Sequence, residues 1–186
     1  MPEWIPSEGS AKGRLVLCAM EAFSAAAFDD VNVVELCATA RVTTGTLYHH
    51  FATKLGLFDV VRLEVERRSV DRIAGALAAR ADDRPATAAR AALLVGFDYV
   101  VDSGRARLAG ASVPAGRDDG IEAILRPVLG ADGVVARLAV ATWRAALMCT
   151  IDGVGVEAVR AALAQFSFGD DEHPVETGLR GAPDTP

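Results

Sequence analysis

Polar groups suited to phosphate oxygens are concentrated between Thr43 and Lys54. Two threonines and Gly45 stand at a predicted helix start, where hydroxyls and free backbone N–H groups favour an anion. Tyr48 follows one turn later. Lys54 lies in the first turn of the next predicted helix, where the helix dipole disfavours a cation, so a lysine there indicates an anionic partner. These residues offer hydrogen bonds and charge to phosphates.

The elements that must position these groups are three short helices. The apolar spacing predicts a first helix from Ser10 or Ala11 to Ala26. Asn32 is a predicted N-cap with Glu35 in the capping-box position, and Thr43 is the next N-cap. The second helix ends near residue 40, and the third runs over 44–50. Two short helices joined by a tight turn, with an exposed polar helix start, are typical of a helix-turn-helix that reads DNA.

Residues 12–60 resemble the DNA-binding domain of the TetR family of transcriptional regulators. The resemblance implies that the third helix enters the major groove. Residues implied to contact phosphates are Asn32, Val33, Tyr48 and Lys54, and those implied to lie nearest the bases are Thr43, Thr44, Gly45 and His49. The residues that carry the resemblance are Arg14, Leu15, Ala19, Phe23, Phe28, Leu36, Ala40, Val42, Thr43, Gly45, Thr46, Leu47, Tyr48, His50, Phe51, Lys54 and Leu57.

The charge of this region departs from that of a basic DNA-binding patch. The chain has a net charge of −6, and residues 1–55 hold four basic and six acidic side chains. Binding must then depend on the placement of single groups, with modest non-specific affinity and a shallow salt dependence. Ala27 replaces the usual glycine of the first turn, Asp29-Asp30 lies near the expected phosphates, and Gly56 should weaken the fourth helix by about 1 kcal/mol.

The composition predicts an all-α protein, and the resemblance to the TetR family implies that an N-terminal three-helix helix-turn-helix domain is joined to a C-terminal helical ligand-binding and dimerisation domain. Hydrophobic residues make up 51% of the chain and aromatic residues 6%, and alanine-rich stretches favour helix. The predicted units are residues 1–56, residues 57–168 and a disordered tail at 169–186. Helices are predicted in the second unit at 57–81, 86–102, 105–111, 121–129, 134–151 and 154–166.

The two last predicted helices favour a homodimer through about Val134–Phe166. The helix at 134–151 is apolar on all sides and needs cover on both. Small residues at 154–166 permit close approach, so two such helices per chain would form a four-helix bundle across a two-fold axis. TetR relatives dimerise through their last two helices, which agrees with this pattern. A hairpin packed within one chain remains the alternative.

A small-molecule effector of unknown identity is expected among the middle helices. The candidate lining residues are Phe97, Tyr99, Arg107, Trp143, Leu147 and Met148. Trp143 with Met148 suits a flat or apolar molecule, and Arg107 or Arg144 could pair with an anion. Ordinary core packing is the competing explanation for each of these residues.

Other classes of function find little support in the sequence. There is no Gly-x-Ser-x-Gly or His-Glu-x-x-His pattern, so the chain is not expected to be an enzyme. His49 and His50 point apart on a helix, and neither a metal nor a cofactor is expected. The three cysteines are predicted to be small buried residues. No apolar run reaches about 18 residues and no signal peptide is recognised, so a cytoplasmic location without membrane contact is expected.

The sequence therefore predicts a ligand-responsive transcriptional regulator. The most consistent form is a repressor that binds double-stranded DNA at a near-palindromic operator as a homodimer and is released by a small molecule. The alternative is a helical dimeric module that binds a ligand or a protein and has a weakened DNA-binding head. Salt-dependent binding to any duplex would separate the two.

Overall fold

The computed structural model describes residues 9–113, 116–130 and 132–168, and within them every regular element is a helix. The all-α prediction is confirmed. The predicted disordered tail at 169–186 lies outside the described residues. The helices are α1 (Ala11–Ala25), α2 (Val33–Thr39), α3 (Thr44–Phe51), α4 (Lys54–Ala78), α5 (Pro85–Asp102), α6 (Ala106–Gly110), α7 (Gly120–Leu129), α8 (Val134–Ile151) and α9 (Val156–Gln165).

Polar side chains begin the N-terminal helices by accepting hydrogen bonds from backbone N–H groups that have no partner inside the helix. Asn32 Oδ1 accepts from the Val34 N–H at 2.8 Å, and Thr43 Oγ1 accepts from the Thr46 N–H at 3.2 Å. Thr53 Oγ1 does the same for the N–H of Gly56. The predicted N-caps of α2 and α3 are therefore confirmed, and Thr53 caps α4.

The turns of the helix-turn-helix place two non-glycine residues at positive φ. Arg41, between α2 and α3, has φ 53°, and Ala52, between α3 and α4, has φ 60°. This region of backbone space is costly for residues with a Cβ. Ala27 is not among the positive-φ residues. The first turn therefore carries no strain from having alanine in place of the usual glycine.

α4 forms the central strut of the molecule, because it packs against α1 and α3 at one end and against α5, α6 and α7 at the other. A Cβ on Gly96 of α5 would lie 2.6 Å from the Ile73 side chain, so glycine lets α5 approach α4 closely. Behind them Trp143 is fully buried and its Nε1 donates to the Leu93 carbonyl at 3.0 Å. The predicted boundary between residues 56 and 57 falls inside α4.

α8 corrects the expectation that no segment is apolar enough to span a bilayer. By length and composition alone Val134–Ile151, with a mean hydropathy of 1.5, is such a segment. Its Trp143 and Leu147 are fully buried inside the chain. One side of this apolar helix thus belongs to the core, whereas Val134 and Leu138 on it are exposed in the single chain.

Two further expectations change in the structure. α4 ends at Ala78 rather than at residue 81, where Ala79 closes the helix with an N–H bonded to the Gly75 carbonyl. Cys37 is buried, and burial raises the pKa of its thiol. Cys149 is exposed, so the prediction of a buried residue was wrong there.

Candidate nucleic-acid interface and effector cavity

α3 presents its polar start to solvent and its apolar side to the core. Leu47 is fully buried and Phe51 is 8% exposed, which fixes the rotation of the helix about its axis. Thr43, Thr44 and Gly45 are exposed on the opposite side. The Thr43 hydroxyl both caps the helix and lies 3.0 Å from the Thr46 hydroxyl. An exposed N-terminus with free N–H groups and hydroxyls is suited to phosphate and base-edge contacts.

The other residues implied to contact DNA flank this helix start. Tyr48 is 51% exposed although its ring is large and partly apolar, and His49 beside it is exposed. Asn32 is also exposed at the beginning of α2, whereas Val33 is half-buried. The beginnings of α2 and α3 thus offer acceptors, donors and one aromatic hydroxyl, although which of them touch DNA stays a prediction.

Lys54 is held by the turn between α1 and α2. Its Nζ lies 4.6 Å from the centre of the Phe28 ring and donates to the Asp29 carbonyl at 3.4 Å. The Phe28 ring in turn packs against Phe23 of α1 and Phe58 of α4, with ring centres 5.8 and 5.2 Å away. A cation–π contact of this kind orients the ammonium without neutralising it. Lys54 therefore projects a preorganised positive charge beside α3.

Arg14 braces the base of the helix-turn-helix from α1. Its Nε donates to the Ala40 carbonyl at the C-terminal end of α2 at 3.0 Å, and its Nη1 donates to the Gly9 carbonyl at 2.7 Å. A guanidinium at a helix C-terminus satisfies free carbonyls and matches the helix dipole. The Arg14 guanidinium thus stabilises the position of α2 through these hydrogen bonds.

A cavity of about 910 Å³ opens between the C-terminal end of α6, the segment that precedes α7, and the helices α7 and α8. Four arginines, 117, 126, 137 and 144, line it together with acidic residues, and apolar surface comes from Val140 and Met148. Glu122 receives hydrogen bonds from Arg126 at 2.8 Å and Arg137 at 3.3 Å. The bond from Arg126 is the main reason why the pKa of Glu122 is lowered despite its burial.

The predicted effector residues are only partly brought together. Met148 lines this outer cavity and Trp143 lines a narrower inner cavity beside it. Phe97 and Leu147 are fully buried in the core. Tyr99 lies on α5 with its ring 5.2 Å from the guanidinium of Arg72. Neither cavity is lined by these three residues or by Arg107.

Sequence reasoning missed the charged residues between the two cavities. Arg62 is 2% exposed and Glu66 11%, and they pair at 2.8 Å inside the fold. In the sequence they are one of several arginine–glutamate pairs spaced four apart on a long helix, which normally lie on the surface. Asp119, which caps α7, pairs with Arg144 of α8. Only the packing of α6, α7 and α8 over α4 distinguishes these buried charged residues from ordinary surface ion pairs.

The fold is all-helical, and α2 and α3 have the arrangement of a helix-turn-helix. The chain is similar to solved TetR-family regulators from Streptomyces coelicolor (TM-score 0.56, 18% identity, covering 83% of this chain and 77% of that one) and Rhodococcus sp. RHA1 (TM-score 0.52, 18% identity, 82% and 92%). At that identity the likeness establishes the fold.

The N-terminal helices carry the sequence similarity. Residues 16–61 match the model of the bacterial regulatory proteins, tetR family. The HTH-type transcriptional regulator UidR of Escherichia coli (strain K12) is 32% identical to this chain over 59 residues, which cover 32% of this chain and 30% of that regulator. The same values hold for UidR of Shigella flexneri. The N-terminal part of the chain is therefore similar to the DNA-binding domain of TetR-family regulators.

Proposed function

We propose that the protein is a ligand-responsive transcriptional repressor that binds a near-palindromic operator as a homodimer. The observation that carries this proposal is the orientation of α3. Its apolar residues Leu47 and Phe51 are buried, which leaves Thr43–Gly45 and Tyr48 in solvent. In a two-fold dimer the two α3 helices would reach successive major grooves, about 34–36 Å apart.

An exposed apolar face on α8 and α9 supports the dimer. On α8 the stripe begins with Val134, 57% exposed, and Leu138, 61% exposed, and it continues through exposed alanines at 141 and 145. On α9, Val156 and Phe166 are 39% and 49% exposed. A soluble chain rarely leaves such a contiguous face in water. A second copy of the same two helices would cover it as a four-helix bundle.

The positions of the cavity and of α6 support effector release. Gly110, the last residue of α6, lines the outer cavity, and Arg105, directly before α6, donates to Glu21 of α1 at 2.8 Å. Any displacement of α6 by a ligand is therefore felt at α1. A ligand that binds better to a conformation with misplaced α3 helices lowers operator affinity by population shift.

The proposal is tested by fluorescence anisotropy with duplexes from the chromosomal region upstream of the gene. Tyr48→Phe and Lys54→Ala should each weaken binding about three- to tenfold across sequences, because each removes a phosphate contact. Thr44→Ala should change the order of preference among operator variants, because Thr44 is expected near the bases.

Thr87→Ala is the matched control, since Thr87 is exposed on α5, far along the chain from α3. It should leave both affinity and preference unchanged. If the wild-type chain shows no salt-dependent binding to any duplex, the competing function of a helical ligand- or protein-binding dimer is favoured. If it binds but all three α3-side variants behave like Thr87→Ala, the binding surface is wrongly assigned.

A further inference from the structure

Arg62 of α4 is buried with half of its hydrogen-bonding capacity unused. The side chain is 2% exposed, and its Nη1 donates to Glu66 Oε2 at 2.8 Å. Nε and Nη2 are buried and have no hydrogen-bond partner among the described residues. These two nitrogens form one edge of the guanidinium plane, which presents two parallel N–H groups.

Glu66 cannot satisfy this second edge from its present position. Its Oε1 accepts the Gly120 N–H at 2.9 Å, so the carboxylate is shared between Arg62 and the start of α7. Buried N–H groups of a cation without acceptors are costly, and a carboxylate placed side-on supplies two oxygens at the matching spacing. The free edge of Arg62 is therefore shaped for an oxyanion.

Arg62 faces both apolar side chains and the polar residues Glu66, Ser69 and Arg144. A narrow cavity between α4, α6, α7 and α8 is lined by Arg62 together with Leu108, Ile121 and Trp143, and it has no room for a water molecule. Arg144 lines this inner cavity and also the outer cavity of about 910 Å³. It is held in place by Asp119 and by the Ala109 carbonyl at 3.4 Å. Arg144 thus stands between the solvent-open cavity and the unused edge of Arg62.

We propose that the effector is an organic carboxylate with an apolar body, and that its carboxylate binds the Nε–Nη2 edge of Arg62. This assignment rests on the proposed function, because it names the chemical class of the effector. The inner cavity beside Trp143 has no room for a water molecule as it stands, so the carboxylate enters past the Arg144 side chain only when that cavity widens, and the rest of the molecule occupies the outer cavity. Entry requires Arg144 and the neighbouring α6 to shift, which is the displacement that effector release needs.

The first test leaves Arg62 and the two cavities unchanged and follows the fluorescence of Trp143. The chain has two tryptophans, so the full-length Trp4→Phe protein reports on Trp143 alone. Benzoate and butyrate are compared with their neutral isosteres benzamide and butyramide, and with inorganic phosphate. The carboxylates should change the Trp143 emission and raise the melting temperature, with at least about tenfold tighter binding than the amides. Equal responses to carboxylate and amide, or to benzoate and phosphate, or no response at all, would overturn the proposal.

The second test assigns the site to Arg62. Arg62→Lys keeps a cation for Glu66 but lacks the two-nitrogen edge, so carboxylate affinity should fall at least about tenfold. Arg68→Lys is the matched control, since Arg68 lies on the same helix, pairs with Glu64 at 2.7 Å and is 47% exposed. It should bind carboxylate like the parent chain. Retention of binding in a folded Arg62→Lys variant would place the anion elsewhere and contradict the assignment. If that variant does not fold, the carboxylate–amide comparison still decides.

Operator binding is measured in the same samples to separate this inference from the proposed function. Arg62→Lys should bind operator DNA like the parent and no longer be released by benzoate. A chain that binds DNA but is indifferent to every carboxylate refutes the effector class and leaves the regulator intact. A chain that binds benzoate through Arg62 but binds no duplex refutes the regulator and leaves the carboxylate site standing.

Discussion

Gly56 shows why the residue scale matters for the DNA-binding head. The sequence alone predicts that Gly56 weakens α4, since glycine is a poor helix former. A Cβ at this position would lie 2.1 Å from the Phe51 carbonyl oxygen, a backbone atom that cannot turn away. Glycine is therefore what permits α4 to start directly beneath the end of α3. Glycine lowers the helix propensity of α4, but it permits the tight turn that leaves the polar side of α3 exposed.

The first prediction follows from that contact. Gly56→Ala should destabilise the protein by about 1–3 kcal/mol, because the α3–α4 turn must open to accommodate the methyl group. Gly75→Ala on the same helix is the control, since a Cβ there would meet nothing within 4 Å. It should instead stabilise by up to about 1 kcal/mol. Urea denaturation measures both, and equal effects of the two changes would contradict the role given to Gly56.

Ala52 carries the second prediction. Its φ of 60° and ψ of −39° lie in a region that a Cβ disfavours. Ala52→Gly should stabilise by up to about 1 kcal/mol, because relief of strain exceeds the entropy that glycine adds to the unfolded chain. Ala79 closes α4 with φ −68°, so Ala79→Gly relieves nothing and should lower stability by a similar amount. The measurement is the thermal midpoint, and a loss of stability in Ala52→Gly would count against strain at this turn.

At the scale of elements, α4 is stabilised by ion pairs along one side. Glu64 is 4% exposed, and it accepts hydrogen bonds from Arg67 at 3.1 Å and from Arg68 at 2.7 Å. Burial alone raises the pKa of this carboxyl, but the two arginine hydrogen bonds outweigh burial and the net pKa is lowered. The folded chain therefore holds this proton less tightly than the unfolded chain does.

The pH dependence of stability gives the third prediction. Because the folded pKa of Glu64 is lowered, its contribution is complete above the unfolded pKa of about 4.3 and is lost as pH falls through the folded value. Glu64→Gln should cost about 1 kcal/mol near neutral pH and progressively less below about pH 4. Asp71→Asn removes an exposed partner of Arg67 and should cost less than about 0.5 kcal/mol. Urea titrations at several pH values test this, and a Glu64→Gln deficit that persists in acid would refute it.

The helices themselves were largely predictable, and the reasons are local. The starts of three helices are indicated by the residue types of Asn32, Thr43 and Thr53. The buried side of α3 is predicted by the spacing of Leu47 and Phe51. The inner charged cluster was not predictable, because Arg62 and Glu66 carry the same i, i+4 signature as a surface pair. Their burial depends on which helices pack over α4, and that is a property of the tertiary fold. The exposure of Cys149 was missed for the same reason.

At the scale of the whole molecule, the acidic head makes dimerisation part of DNA binding. Residues 1–55 carry more acidic than basic side chains, so one head alone should bind weakly. Two heads on one rigid dimer bind with an effective concentration that multiplies their affinities. Under the proposed function, the apolar face of α8 and α9 is then required for operator binding through the dimer.

The fourth prediction is that Leu138→Glu yields a monomer with operator affinity reduced by about 100-fold or more. Leu138 is 61% exposed in the single chain, so the change should not disturb folding. Ala81→Glu, at an exposed residue of the turn between α4 and α5, should stay dimeric and bind normally. Light scattering gives the oligomeric state and anisotropy the affinity. A Leu138→Glu protein that remains dimeric would move the interface elsewhere.

The unbroken course of α4 has a mechanical consequence. Its 25 residues span about 37 Å at 1.5 Å per residue. A small rotation of α4 where it packs against the core helices therefore displaces its other end, next to α3, by a larger distance. A tilt of about 5° would swing the far end by about 3 Å over that length. In a symmetric dimer the two α4 helices swing oppositely, and the spacing of the α3 helices changes by about twice that amount relative to the fixed pitch of the DNA. Small motions near the cavity thereby become large enough to break register with the double helix.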